Sequence, residues 1–232
     1  MGIGKAIRDY LESLTGFSFG KRPNLSTEEK SKLFYQTTAA LLAKMAKADG
    51  VVTDDEIREV EGAFTRLGFG EATRAIAIDS FRKAKDDEVS VYDYARVFAR
   101  AIESIEIREL VYEILWDVAS ADGEVSPNEL LILQRIPRPL GIRIAWYKYF
   151  LGVRLGKRGM FVDPTKEAYM VLGVKSYESN EKLKARYHEL ARKYHPDALR
   201  AQGLPEEMIG KAEERMSRIN AAWKEIREER GI

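Results

Sequence analysis

Two stretches of this chain repeat one another, and the repeat constrains the fold more than any other feature. MAKADGVVTDDEI at 45–57 realigns with VASADGEVSPNEL at 118–130, pairing Ala48 with Ala121, Asp49 with Asp122, Gly50 with Gly123, Val52 with Val125, Thr53 with Ser126 and Glu56 with Glu129. Each copy reads as the end of a helix, a glycine turn, a capping box and a second helix. Pro127 stands at the first helical position, where a missing N–H costs nothing. A chain that spends its glycines and prolines on helix boundaries has little room for strands.

The residues between and around the copies keep helical periodicity. Ser26 with Glu29 opens a helix whose apolar stripe is Leu33, Thr37, Leu41, Leu42 and Met45 and which ends near Asp49-Gly50. The next, capped by Thr53, buries Ile57, Val60, Phe64 and Leu67 and stops at Gly68 and Gly70. Patterns over 71–84 and 91–102 turn Ala72, Ile76 and Phe81, then Tyr94, Phe98 and Ala101 inward. A longer helix follows through Leu110, Val111, Ile114, Leu115 and Val118. No alternating strand pattern appears, so the expectation is an all-α protein.

Acidic residues crowd the repeated turns. Asp49, Asp54, Asp55 and Glu56 in one copy, and Asp122, Glu124 and Glu129 in the other, could offer oxygen ligands to a metal. An EF-hand loop needs acidic or amide ligands at alternate positions before its glycine. Lys47 and Ser120 occupy the sites two residues before each Asp, which favours helix capping for these acids. A metal-responsive role through the acidic turns is kept as the alternative function.

Residues 26–152 resemble the TerB-like helical domain, named for tellurite-resistance proteins, and the repeated ADG-x-V-[ST]-x-x-E signature carries the resemblance. It implies fold more than activity, leaving room for a client or regulatory protein at this domain. Residues 153–163, within the glycine-rich and basic LGVRLGKRGMFVDP, read as a linker.

Beyond the linker the chain resumes helical spacing. Asp163-Pro164 opens a short helix carrying Tyr169 and Leu172 and ending at Gly173. From Ser179, Leu183, Tyr187, Leu190 and Tyr194 follow at spacings of four, three and four. From Pro205, with Glu206 and Glu207 at the positive end of the helix dipole, a third helix presents Ile209, Ala212, Met216, Ile219, Trp223 and Ile226. Two such seams pair as an antiparallel hairpin, which sets His195-Pro196-Asp197 at its tip. Proline drives the residue before it out of the helical region, so the tripeptide is expected on a stiff, outward corner.

Local chemistry offers three uses for that corner: catalysis, metal binding or display to a partner. No serine or cysteine nucleophile lies near in sequence, and one His beside one Asp is no triad. The chain has two histidines and no cysteine, so zinc would find only His188 as a second imidazole. Catalysis and zinc binding weaken as readings of this corner, and display to a partner remains.

AYMVLGV, LKARYHELARKYHPD and RINAAWKEI resemble the three helices and signature loop of a J domain over residues 164–232. That resemblance implies a co-chaperone whose J domain binds a DnaK-type chaperone and stimulates its ATP hydrolysis. The inserted ALRAQGLPEEM, and a J domain placed after a TerB-like domain, further resemble the DjlA group. By resemblance His195, Pro196 and Asp197 form the docking loop, Asp197 accepts charge-assisted hydrogen bonds from a partner arginine, and Lys184, Arg192 and Lys193 supply a basic face shared with Tyr187 and His188. Departures are the residues at His188 and Glu189, where many J domains are basic, Ala198, commonly Lys or Arg, and Met216, where an aromatic often packs behind the loop.

The DjlA group normally carries an N-terminal transmembrane segment. Here Lys5, Arg8, Asp9 and Glu12 interrupt the first twenty residues, so no spanning helix fits. Residues 1–25 instead read as an amphipathic segment with Ile3, Ile7, Tyr10, Leu11 and Leu14 on one face, either docked on its own domain or lying at a membrane interface. The expected location is cytoplasmic, with peripheral contact at the inner membrane left open. A net charge of +1 and the lack of aromatic stacking platforms argue against nucleic acid as a partner.

Overall fold

A computed structural model describes residues 25–143 and 167–232, apart from 51, 53 and 122. Among the described residues every regular element is helical. The N-terminal segment, the 153–163 linker, Asp163-Pro164 and the Thr53 cap lie outside them. The chain divides into two compact units: unit 1 runs to Gly141 and includes Ala201–Met208, and unit 2 holds Ile142–Arg200 and Ile209–Ile232.

Unit 1 is built around α1 (Thr27–Ala46). Its start is the expected capping box: the Glu29 N–H donates to Ser26 Oγ at 3.2 Å, and the Ser26 N–H donates to Glu29 Oε2 at 2.8 Å. The helix is not amphipathic in the expected way. Phe34, Tyr35, Thr38, Ala39, Ala40 and Ala43 are buried along with the predicted stripe, because α1 is the central helix and neighbours cover it on several sides. The uncharged run from Phe34 to Ala43 permits this, and its alanines admit close helix packing.

Helices α2 (Asp54–Arg66), α3 (Glu71–Asp86), α4 (Val91–Ala101), α5 (Ile105–Ala119) and α6 (Pro127–Arg135) complete the unit, with α3 and α4 packed most closely on α1. The α2 helix closes at Gly68, whose φ of +84° lets the Phe69 N–H reach back to the Phe64 carbonyl at 3.0 Å. Phe69 then stacks on Phe64 at 5.1 Å and meets Tyr35 edge-on at 4.8 Å.

Several inward faces differ from expectation. Ala72 is exposed and Ile76 half-buried, because α3 turns Ala77, Ser80, Phe81 and Ala84 toward the core. Ile57, Leu67 and Val118, near helix ends, are only half-buried. On α5 burial extends beyond the apolar stripe to Glu106, Glu109 and Glu113.

The glycines of both repeated turns and the capping box of the second copy behave as read, while the capping box of the first copy lies outside the described residues. Gly50 and Gly123 both hold positive φ, at +136° and +96°. The second copy has its full capping box, with Pro127 in the first turn. Asn128 Nδ2 donates to the Ala48 carbonyl at 3.1 Å, so the second copy is bonded to the turn of the first.

One polar cluster ties α1 to the connection between α3 and α4. Lys44 Nζ lies 2.7 Å from Asp87 Oδ1 with both side chains nearly buried, and it also donates to the Asp87 carbonyl at 2.8 Å. The Tyr94 hydroxyl donates to Asp87 Oδ2 at 2.6 Å, and the Val89 N–H to Oδ1 at 2.7 Å.

Unit 2 contains α7 (Glu167–Leu172), α8 (Asn180–Lys193), α9 (Pro196–Ala201, whose last residue belongs to unit 1) and α10 (Ile209–Arg230). The expected seam is present: Leu183, Leu190, Tyr194, Ile219, Trp223 and Ile226 are buried. Two expectations need correction. The third helix starts at Ile209 rather than Pro205, because a 3-10 turn at Glu206–Met208, bonded from the Met208 N–H to the Pro205 carbonyl, precedes it. Met216 is half-buried, and the inward position beside it is taken by Arg215, whose guanidinium stacks over the Tyr194 ring at 5.3 Å.

Candidate functional site

The tip of α8 is built by its own sequence. Ser179 caps the helix, accepting from the Lys182 N–H, and the last residue held by the helical ladder is Tyr194, whose N–H donates to the Leu190 carbonyl at 2.8 Å. His195 leaves the helix, as a residue before proline should. Pro196 then begins α9, a short helix where the sequence suggested a plain loop. His195 serves as its cap: the Asp197 N–H donates to His195 Nδ1 at 3.2 Å and the Leu199 N–H to the His195 carbonyl at 3.1 Å.

The His195 and Asp197 side chains are 59% and 77% exposed. Asp197 Oδ1 accepts from Arg200 Nη1 at 2.6 Å, one turn along α9, while Oδ2 lies 3.8 Å from His195 Nδ1. A solvated imidazole and carboxylate without a neighbouring nucleophile offer little to acid–base catalysis. Among the described residues no group of three or more His, Asp or Glu side chains is placed to hold a metal ion. Of the proposed ligands in the repeated turns, the side chains of Asp49, Asp54, Asp55, Glu56 and Asp122 lie outside the described residues. Glu129 is engaged in capping, its Oε2 accepting from the Ser126 N–H at 3.1 Å.

The named residues of α8 divide by environment. Lys184, His188 and Arg192, spaced by four, form an exposed row leading to the tip. Tyr187 is half-buried and fixes the hairpin, stacking on Trp223 at 5.1 Å and 12° while its hydroxyl donates to Asn220 Oδ1 at 3.1 Å. Lys193 Nζ is bound to Glu189 Oε1 at 2.9 Å, and Arg186 Nη1 to Glu189 Oε2 at 2.7 Å. Glu189 therefore neutralises part of the basic face that the sequence suggested. Lys184 lies about 13 Å along the axis from Lys193 at the helical rise, so the row and the tip form an extended surface instead of a pocket.

The hydrogen bonds from Lys193 and Arg186 hold the Glu189 carboxyl down at about 2. A carboxylate whose folded value is depressed contributes stability that is full above its ordinary value near 4.5 and is lost as pH falls toward 2. Comparing thermal melts of wild type and Glu189→Gln should therefore show a gap at pH 7 that closes between about pH 4.5 and pH 2. A gap that persists unchanged at pH 2 would mean that the carboxylate is not the stabilising group.

Sequence reading missed three arginines that support this surface. Arg200 holds Asp197, a pairing signalled by the i, i+3 spacing once α9 is known to be helical. Arg186 Nε donates to the Leu172 carbonyl at 3.0 Å and so caps the end of α7. Arg230 closes the base of the hairpin: it donates to the Tyr169 hydroxyl at 3.1 Å, to Asn180 Oδ1 at 3.0 Å, to the Glu178 carbonyl at 3.3 Å and to the Ser176 carbonyl.

Comparison with known proteins gives two family matches, to tellurite resistance protein TerB over residues 36–148 and to the DnaJ domain over residues 167–230. The chain is 30% identical over 222 residues to the co-chaperone protein DjlA of Escherichia coli strain K12, covering 88% of this chain and 82% of that protein. It is 29% identical to the protein of that name from Vibrio cholerae, over 93% of this chain and 84% of that protein. With the Vibrio vulnificus protein it shares 27% identity, over 92% and 83%. No solved structure matches the chain significantly. Among the described residues no helix is long and apolar enough to cross a membrane.

Proposed function

Because the chain belongs to the DjlA family of co-chaperones, we propose that it binds a DnaK-type chaperone through the tip of α8 and stimulates that partner's ATP hydrolysis. The observation that carries this reading is the display of His195, Pro196 and Asp197 on a capped, solvent-facing corner at the end of the exposed row Lys184, His188, Arg192. The row provides long-range attraction to an acidic partner, and Asp197 provides a carboxylate for a charge-assisted bond. Tyr187 contributes through the hairpin it fixes, and Lys193 through whatever positive potential Glu189 leaves it. The chain performs no chemistry in this scheme. The phosphoryl transfer belongs to the partner, whose conformational populations shift because one state binds the tip more tightly.

The working division is an N-terminal segment over 1–25, a TerB-like domain over 26–152 that recruits, localises or regulates, a linker over 153–163 and a J domain over 164–232. A cytoplasmic site of action suits a chaperone partner of this type. The test is steady-state ATP hydrolysis by DnaK with the full chain and with residues 164–232. Both should stimulate at saturating concentration, because the seam of α8 and α10 is closed by its own residues. Stimulation by neither would reject the co-chaperone mechanism.

A further inference from the structure

Residues Ala201–Met208, the last residue of α9 and the connection to α10, belong to unit 1. Their seat there is shaped. Gly203 turns the chain at φ +96°, and it approaches α1 so closely that an added Cβ would lie 2.5 Å from Lys30 Cβ. Backbone-proximal atoms of this kind cannot swing aside, and an L side chain is strained at this φ as well. Leu204, Pro205 and Met208 are buried. Glu207 runs its carbonyl past Gly68, where a Cβ would stand 3.5 Å away.

A polar contact with Tyr35 reads the charge of Glu207. The Tyr35 hydroxyl donates to Glu207 Oε2 at 2.5 Å. Tyr35 is 3% exposed and is braced edge-on by Phe69 and by Phe34, at 4.8 and 6.0 Å. Burial, followed by the Glu207 carboxylate, pushes the phenol above its ordinary value, so it remains a donor across the physiological range. A glycine that only a bare backbone can fill, buried apolar side chains and one carboxylate met by a fixed donor are the features of a specific peptide seat.

The segment joins directly to α9, whose last residue is Ala201 and whose first turn carries Asp197. A six-residue helix has no stability of its own in water. Its order comes from Leu199, which is fully buried, and from what holds its ends. We propose that the face of α1 bearing Lys30 and Tyr35, together with the Gly68 turn, is a receptor for Ala201–Met208, and that seating this segment orders α9 and so presents Asp197 to the chaperone. The second half rests on the docking role given to Asp197 above. It assigns the first unit a task in that docking: Tyr35 and Gly203 act as positioning residues that never touch the partner.

The test uses the full chain. Hydrogen exchange is followed at the amides of 197–208 and, as a control, of α8, in wild type, Tyr35→Phe, Glu207→Gln and the double variant. Each single change should speed exchange at 197–208 by about tenfold, the scale of one hydrogen bond to a charged group. The double variant should add nothing, and α8 should be unaffected. Gly203→Ala should speed exchange over the same residues by steric exclusion, without touching the hydroxyl–carboxylate pair. In parallel, Tyr35→Phe should raise several-fold the concentration giving half-maximal stimulation of DnaK and leave the maximum unchanged, because a disordered tip reduces the competent fraction. Unchanged exchange at 197–208 in both Tyr35→Phe and Gly203→Ala would overturn the receptor, as would equal acceleration in α8. Faster exchange with an unchanged half-maximal concentration would overturn the ordering role. If wild type stimulates nothing, the co-chaperone mechanism fails, and the exchange result still decides whether the seat exists.

Discussion

Asp197→Asn should nearly abolish stimulation of DnaK while leaving the fold intact. The side chain is 77% exposed, and its ion pair with Arg200 is a surface pair across one helical turn, worth about 0–1 kcal/mol. The amide keeps the shape of the carboxylate, and the Asp197 N–H can still donate to His195 Nδ1. Stability measured by denaturant should therefore move by less than about 1 kcal/mol. The loss falls on the complex, where a partner cation is desolvated against a group that no longer carries charge. Normal stimulation by Asp197→Asn, with wild type active, would remove the tip from the mechanism.

The opposite behaviour is expected at Asp87. Its carboxylate accepts from Lys44, from the Tyr94 hydroxyl and from the Val89 N–H in a nearly buried site. Asp87→Ala strands the Lys44 ammonium on the central helix and leaves two further donors without that acceptor. Removing one partner of a buried pair costs about 3–5 kcal/mol, a large fraction of the stability of an ordinary domain. The melting transition of unit 1 should drop accordingly, whereas Lys44→Met with Asp87→Leu should recover part of the loss because no charge is left behind. A drop under about 1 kcal/mol for Asp87→Ala would show that water reaches the site freely.

The contrast between these residues explains what could be read in advance. Capping boxes, glycine stops and the 3–4 spacing of Leu183, Leu190, Ile219 and Ile226 are local signals, so the helices and the hairpin seam were legible. The HPD corner is legible for the same reason, since Pro196 acts directly on the residue before it, His195. Partners distant in sequence were not. Lys44 and Asp87 are 43 residues apart, and Tyr35 and Glu207 are 172 apart. Nothing in either neighbourhood marks them. The covered face of α3 differs from its periodicity because its alanines fit either side of a helix, and only the packing partner decides which side is covered. Periodicity assigns an arginine to solvent, so the Arg215 cation stacked on the Tyr194 ring beside Met216 is invisible to it.

The Arg230 clamp bears on when unit 2 can form during synthesis. This one guanidinium reaches the Tyr169 hydroxyl across 61 residues of chain and Asn180 across 50. While the ribosome is still translating α10, α7 and the start of α8 lack the group that closes them, and α7 also lacks the helix it packs against most closely. Until α10 is made, α7 and α8 lack the helix that packs on both of them. Domains generally fold as units during translation, and the helix that covers α7 most closely is the one made after α8 and α9.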